Sequence, residues 1–296
     1  MDDERYSFHV MGGIGDIILC HQGINQIIDD FGPQPECHVF SHFPQALDLV
    51  APFGERLGGV NMYYYTDNSH LVDQYSSVLR ELEANPYHLG DAREFGLGPF
   101  PLIETPMSNR QEALRICPPK QCRLIGVHPF GSEFSNEWIE NKLKHAGKNL
   151  DLEWVTDVIM ELYREDEATR FVLFGAGQDE NEYIMELVER LDMRGINIIE
   201  HVYTCVSVPI MTALFLASVC DVVLASDSAI KAYVAAKEGK CVVLVGDYVD
   251  DVRDVKFLDP YTSHGNMKVV KYSEFDDKVK KETVDGILHY LSNPKL

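Results

Sequence analysis

The feature that most constrains this chain is a strand-to-helix junction that occurs twice. In each, a short apolar run stops at small residues, and a carboxylate and an apolar helical stretch follow. One stands near the start, Tyr6-Ser7-Phe8-His9-Val10-Met11-Gly12-Gly13-Ile14-Gly15-Asp16-Ile17-Ile18-Leu19. The other stands far downstream, Asp221-Val222-Val223-Leu224-Ala225-Ser226-Asp227-Ser228-Ala229-Ile230-Lys231. Around them, short apolar runs alternate with helical stretches. The runs predict strands at 6–11, 37–41, 60–65, 124–128, 170–174, 196–199, 221–225 and 241–245. Helices are predicted at 16–30, 44–50, 70–84, 152–164, 179–191, 209–218, 228–237 and 277–291. Such alternation reads as βαβ units on parallel sheets. Phe171-Val172-Leu173-Phe174 and Cys241-Val242-Val243-Leu244-Val245 are apolar without alternation, as strands covered on both faces are.

In open α/β sheets, ligands bind beyond the carboxyl ends of the strands, where these junctions lie. Two junctions so far apart predict an α/β chain of two Rossmann-like domains, their parallel sheets facing across a cleft. At 296 residues, two domains is also the expectation from length. The pattern lapses between residues 85 and 121, which carry Pro86, Pro99, Pro101, Pro106, Pro118 and Pro119 with Gly90, Gly96 and Gly98. Proline and glycine at that density break helix and strand alike, so a loop region ending in a linker is expected. Pro118-Pro119-Lys120 sets the predicted boundary, giving domains 1–118 and 119–296. The final helix, 277–291, comes long after the last predicted strand and is free to pack back on the first domain.

Charge narrows the partners. The formal net charge of −21 argues against a nucleic-acid partner, which needs a basic face. A small anion is compatible with it, because a helix N-terminus and one or two cations can hold it locally. No apolar stretch approaches the roughly 20 residues of a bilayer span. The acidic start, Met1-Asp2-Asp3-Glu4-Arg5, lacks the basic region of a secretory signal, so a cytoplasmic location is expected. The seven cysteines are odd in number and form no Cys-x-x-Cys pair, which predicts reduced thiols and no metal site.

Four segments could carry chemistry. Gly12-Gly13-Ile14-Gly15-Asp16 falls short of a dinucleotide fingerprint, since Ile18 occupies the third glycine position counted from Gly13. Gly13 and Gly15 would let backbone turn tightly and approach a ligand. Asp16 is either a helix cap or a general base for an acceptor hydroxyl. In Ser226-Asp227-Ser228, the side chains are either caps or partners of a phosphate held by the N–H groups of Ser228 and Ala229. Lys231, one turn on, is either a solvated lysine or a further cation for that phosphate. The third segment, Gly126 to Trp138, ends a strand with His128 and continues through Ser132. In the fourth, Phe174-Gly175-Ala176-Gly177, the glycines either serve a tight turn or let backbone near Gly175 approach a nucleotide.

Taken in order, these segments resemble the heptosyltransferase-type glycosyltransferases, which have the two-domain GT-B fold. The family's early Gly-Asp pair is matched by Gly15-Asp16, and its Leu-Phe-Gly turn with acidic residues by Leu173-Phe174-Gly175 through Asp179-Glu180. The second-domain opening is matched in part by residues 124–138. The Asp-Ser/Thr-Gly-Pro-x-His-x-Ala-Ala-Ala signature is matched by Asp227-Ser228-Ala229-Ile230-Lys231-Ala232-Tyr233-Val234-Ala235-Ala236. Asp259-Pro260-Tyr261 follows in the expected place.

The resemblance implies inverting, metal-independent transfer of a sugar from a nucleotide-sugar donor to an acceptor hydroxyl on a glycan, glycolipid or other molecule. No obligatory cofactor is implied beyond that donor, which is ADP-linked in the family. Asp16 would be the base on the acceptor side. Gly13, Gly15, His128, Ser132, Gly175, Asp227, Ser228, Ala229 and Lys231 would serve donor and phosphate binding. The chain departs from the family at Asn136, Ala229, Ile230 and Ala232, where the family has lysine, glycine, proline and histidine. Those departures carry the alternative: a degenerate, non-catalytic GT-B module that binds a sugar, nucleotide or protein partner. A sugar-nucleotide epimerase or hydrolase is a third reading.

Overall fold

The computed structural model describes residues 5–32, 34–41, 43–64, 68–96, 105–118, 122–131, 149–246 and 266–293. It divides into two compact units, Met1–Glu104 and Thr105–Leu296. Each is a parallel sheet with helices in its crossovers.

In the first unit, β1 (Ser7–Met11) runs into α1 (Ile14–Leu19) and α2 (His21–Phe31), which continue through Cys20. Then come β2 (Glu36–Ser41), α3 (Ala46–Val50), β3 (Gly59–Tyr64), α4 (Asn68–Glu83) and β4 (His88–Asp91). The sheet order is β3-β2-β1-β4, all parallel. The chain therefore starts at the middle, steps outward twice, and returns to the free edge of β1.

The second unit begins with α5 (Met107–Ile116) and β5 (Leu124–His128). It continues with α6 (Leu152–Glu165), β6 (Arg170–Gly175), α7 (Gln178–Met193), α8 (Ile198–His201) and β7 (Val202–Val206). α9 (Ile210–Ser218), β8 (Val222–Ser226), α10 (Ala229–Ala236), β9 (Cys241–Gly246), β10 (Met267–Tyr272) and α11 (Asp277–Ser292) complete it. The order β10-β9-β8-β5-β6-β7, all parallel, is the nucleotide-binding order 3-2-1-4-5-6 read from the other edge. Every residue of β8 and β9 is buried, which explains their unbroken apolar sequence. Val127, Leu173, Leu224 and Leu244 of the sheet share one core with Val155 and Ile159 of α6, Leu187 of α7 and Ile287 of α11.

Several expectations are corrected. The stretch 85–121 is not loop throughout: it holds β4 and α5. β4 exists because β1 offers it a free edge, with Ser7 opposite His88 and His9 opposite Asp91. α5 belongs to the second unit, where Thr212 of α9 accepts from Asn109 (3.0 Å) and donates to Glu112 (2.8 Å). The two compact units meet in sequence at Glu104/Thr105. Residues 196–199 form no strand. Ile196 tucks into the core, 198–201 make a helical turn, and the β-branched run at Val202–Val206 pairs with β6 instead. α11 packs on the second unit's own sheet, because the unforeseen β10 extends that sheet beneath it. Gly286 permits the approach: a Cβ there would lie 2.8 Å from Lys268 Cδ.

Candidate functional site

The strand order places a switch point in each sheet. In the second unit it lies between β5 and β8, whose connections leave in opposite directions. His128 sits opposite Ala225 at the carboxyl ends of these strands. The β5 exit is fastened to its neighbour, as Ser226 Oγ donates to the Phe130 carbonyl. The Phe130 ring meets Tyr183 edge-on at 4.9 Å and is almost fully buried.

Ser228 is the N-cap residue of α10, with extended backbone (φ −148°, ψ 172°), yet its side chain does not cap the helix. Its hydroxyl lies 3.0 Å from His128 Nδ1 instead. Burial pushes the His128 pKa down to about 4, so the imidazole is neutral near pH 7. A helix N-terminus without its side-chain cap keeps N–H groups available to an anion, and the helix dipole favours negative charge there. Among the described residues, nothing accepts from the Ala229 and Ile230 N–H groups. Asp227 is ion-paired with Lys231 one turn along α10. Lys231 is therefore not a solvated lysine: its side chain is 5% exposed, and its charge sits at the helix entrance.

At β6, on the other side of β5, Gly175 opens the turn into α7. A Cβ there would meet Ile184, Glu180 and Phe130 at 3.3–3.5 Å. The Ala176 N–H donates to Glu180 Oε2 (2.5 Å), so the acidic residue of this turn closes it.

In the first unit, the switch point lies between β1 and β4. Gly12 has φ +120°, and a Cβ there would stand 2.5 Å from Asp16 Oδ2. Only glycine accommodates both that backbone and the carboxylate beside it. Asp16 occupies the first turn of α1, where its Oδ2 accepts from the Gly13 N–H at 2.8 Å. The capping role is thus present, and it fixes the carboxylate at the end of β1. Gly13 is the N-cap residue of α1 and Gly15 lies in its first turn.

Sequence reasoning missed the partner strand of this switch point. Asp91 ends β4 and binds Arg93 through Nε at 2.9 Å to Oδ2 and 3.1 Å to Oδ1. Asp91 and Asp16 both hold the Arg93 guanidinium protonated. Beneath them lies a histidine cluster. His9 Nδ1 and His88 Nε2 are 3.0 Å apart with rings stacked at 5.2 Å, and His38 Nδ1 is 3.1 Å from Tyr63 Oη. The signal available for Asp91 is a carboxylate that closes the short run His88-Leu89-Gly90-Asp91. The structure brings together His128, Gly175, Asp227, Ser228, Ala229 and Lys231 in the second unit, and Gly13, Gly15 and Asp16 in the first. Ser132, Asn136 and Asp259-Pro260-Tyr261 lie outside the described residues.

No protein-family model matches the sequence, and no curated protein does. Solved structures do match. The chain superposes on ADP-heptose LPS heptosyltransferase II of E. coli with a TM-score of 0.66 at 13% identity, covering 98% of this chain and 100% of that one. A glycosyl transferase family 9 protein of Veillonella parvula gives 0.64 at 12% identity, covering 99% and 98%. The UDP-GlcNAc 2-epimerase of Neisseria meningitidis, bound to UDP-GlcNAc, gives 0.60 at 11%, covering 98% and 93%. The chain therefore has the α/β fold of the heptosyltransferase-type, GT-B glycosyltransferases.

Proposed function

We propose that this chain is a glycosyltransferase that moves a sugar from a nucleotide-sugar donor to an acceptor hydroxyl with inversion. The observation that carries the reading is the α10 entrance at the second switch point. His128 holds the Ser228 hydroxyl away from the helix, and Lys231 adds a cation. In this reading the donor diphosphate takes the Ala229 and Ile230 N–H groups, with the Ser228 hydroxyl and Lys231 beside it. The Lys231 pairing offsets the Asp227 carboxylate, which would otherwise repel a phosphate. The turn at Gly175 brings backbone toward the nucleotide. Ser132 is proposed as a further donor contact, and Gly13 and Gly15 as close-approach backbone at the first switch point.

Asp16 is the proposed base, and the first unit the acceptor side. The acceptor oxygen attacks the anomeric carbon opposite the departing nucleoside diphosphate, and its proton passes to Asp16. The carbon–phosphate-oxygen bond breaks with its electron pair on the leaving group. The positive helix end and Lys231 stabilise that charge, so the reaction as drawn needs no metal. An ADP-linked donor is favoured by the likeness to the ADP-heptose enzyme. The proposed acceptor is a glycan, a glycolipid or another hydroxyl compound, and a cytoplasmic location accords with a nucleotide-sugar donor.

The likeness to the epimerase supports a second reading, in which a nucleotide sugar is converted without an acceptor. One experiment separates them. Nucleotide sugars are incubated with and without a glycan acceptor pool, and nucleoside diphosphate release is followed in wild type and Asp16→Asn. Acceptor-dependent release, lowered about 10²–10⁴-fold by Asp16→Asn, is expected. Acceptor-independent release of equal rate, or turnover untouched by Asp16→Asn, would overturn the assignment.

A further inference from the structure

α7 leaves the turn at Gly175 and crosses the second unit with two unlike faces. Ile184, Leu187 and Leu191 enter the core. Its outward face nevertheless shows Met185, 56% exposed. A groove of about 790 Å³ runs between α7 and α8, with Met185, Val188 and Ile198 in its wall. Its rim is acidic: Glu182, Glu186, Glu189 and Asp192. Arg190 engages Glu186 at 2.6 Å, but among the described residues no cation pairs with Glu182, Glu189 or Asp192. An exposed methionine that shares a groove wall with half-buried Val188 and Ile198, ringed by charge, marks an interaction surface rather than a scattered surface residue.

We propose that this groove docks a cationic amphipathic helix of another polypeptide. Its apolar stripe would lie on Met185, Val188 and Ile198, and its lysines or arginines would meet Glu182, Glu189 and Asp192. Methionine suits such a surface because its thioether adapts to the stripe it receives. The lining runs from Asn181 to Asp192 along α7, which at 1.5 Å per residue is about 17 Å, so the docked helix needs about 11–12 residues. Charge selects this occupant over others. A second copy would bring the acidic rim against its own image in a two-fold contact, on a chain of net charge −21. An anionic lipid surface meets the same repulsion. The contact is small, so micromolar affinity with strong salt dependence is the order expected.

The test uses the full chain and two synthetic 12-residue helices, one of leucine and lysine and one of leucine and glutamate, read by fluorescence anisotropy. Met185→Ser removes the exposed apolar side chain of the groove wall while leaving net charge unchanged, and Met185 is too exposed for its loss to unfold the chain. The lysine peptide should bind wild type one to one, lose at least tenfold in affinity to the variant, and weaken between 50 and 300 mM salt. The glutamate peptide should not bind. Equal lysine-peptide binding to wild type and variant would show mere attraction to an acidic chain and overturn the proposal. Absence of binding, or equal binding of the glutamate peptide, would also overturn it. A wild-type dimer that the variant abolishes would make a second copy the occupant instead.

Discussion

Acidification should open the first unit, through His9. This residue is 4% exposed within the sheet, and burial pushes its pKa from 6.5 down to about 4. Asp91 opposes the shift, while His88, Arg93 and His38 reinforce it. The unfolded chain then takes up a proton before the folded one does. Stability is fully present above pH 6.5 and is lost as the pH falls toward about 4. At pH 5 the linkage relation gives about 2 kcal/mol lost from His9 alone, roughly a 30-fold rise in the open population. Burial lowers the pKa values of His38 and His88 too, although Glu36 and Glu83 oppose this, so both add to the loss with the same sign. The thiols supply the assay. Cys20 and Cys37 of the first unit and Cys241 of the second have no exposed surface. Labelling with 4,4′-dithiodipyridine, referenced to unfolded peptides, then reports opening of each unit. Cys20 and Cys37 should label at least about 20-fold faster at pH 5 than at pH 7, and Cys241 should rise by a comparable factor through His128, whose pKa burial also lowers to about 4. His9→Gln should remove most of the first-unit dependence. If His9→Gln opens with the same pH profile as wild type, the linkage reasoning is wrong.

Gly12→Ala puts a Cβ at φ +120° and 2.5 Å from Asp16 Oδ2, so it should cost at least about 1–2 kcal/mol and displace the carboxylate. An unshifted urea midpoint would contradict this. Asp276→Ala removes the cap that accepts from the Val279 N–H at 2.8 Å, and should destabilise α11 by about 1 kcal/mol in the same assay. Lys231→Met removes the buried cation and leaves the Asp227 charge at the α10 entrance. Nucleoside diphosphate affinity should fall about tenfold, an estimate from charge-pair magnitudes, and equal affinity by calorimetry would remove Lys231 from the phosphate site.

The legible parts of the fold were those whose side chains face a core on their own account. β5, β6, β8 and β9 are apolar because both faces are covered, and α6 and α7 carry a plain helical stripe. The hidden parts take their form from neighbours. β4 is His88-Leu89-Gly90-Asp91, polar enough to read as loop, and only the edge of β1 makes it a strand. α5 buries Ala113 and leaves Met107 and Leu114 exposed, so no stripe announces it among the prolines. Ile196 and Ile199 look alike in sequence, yet one is buried and the other lies in water. The site divides the same way. The junctions at Asp16 and Ser226–Ser228 stand in the local sequence. The bond from His128 to Ser228, across 100 residues, arises only from strand order, as does the placing of the local Arg93–Asp91 pair at the edge of β1.

The central claim, that α10 receives a nucleoside diphosphate, is tested most directly by thermal shift of wild type and Ser228→Asp against ADP, UDP and GDP. Aspartate is as good an N-cap as serine, so the variant folds, but its charge repels a phosphate at that helix entrance. The account predicts that one diphosphate, at 100 times its Kd, stabilises wild type by about 2.7 kcal/mol and raises its Tm by about 5–10 °C. The same ligand should leave Ser228→Asp unmoved. A diphosphate that shifts both proteins equally, or none that shifts wild type, would contradict it.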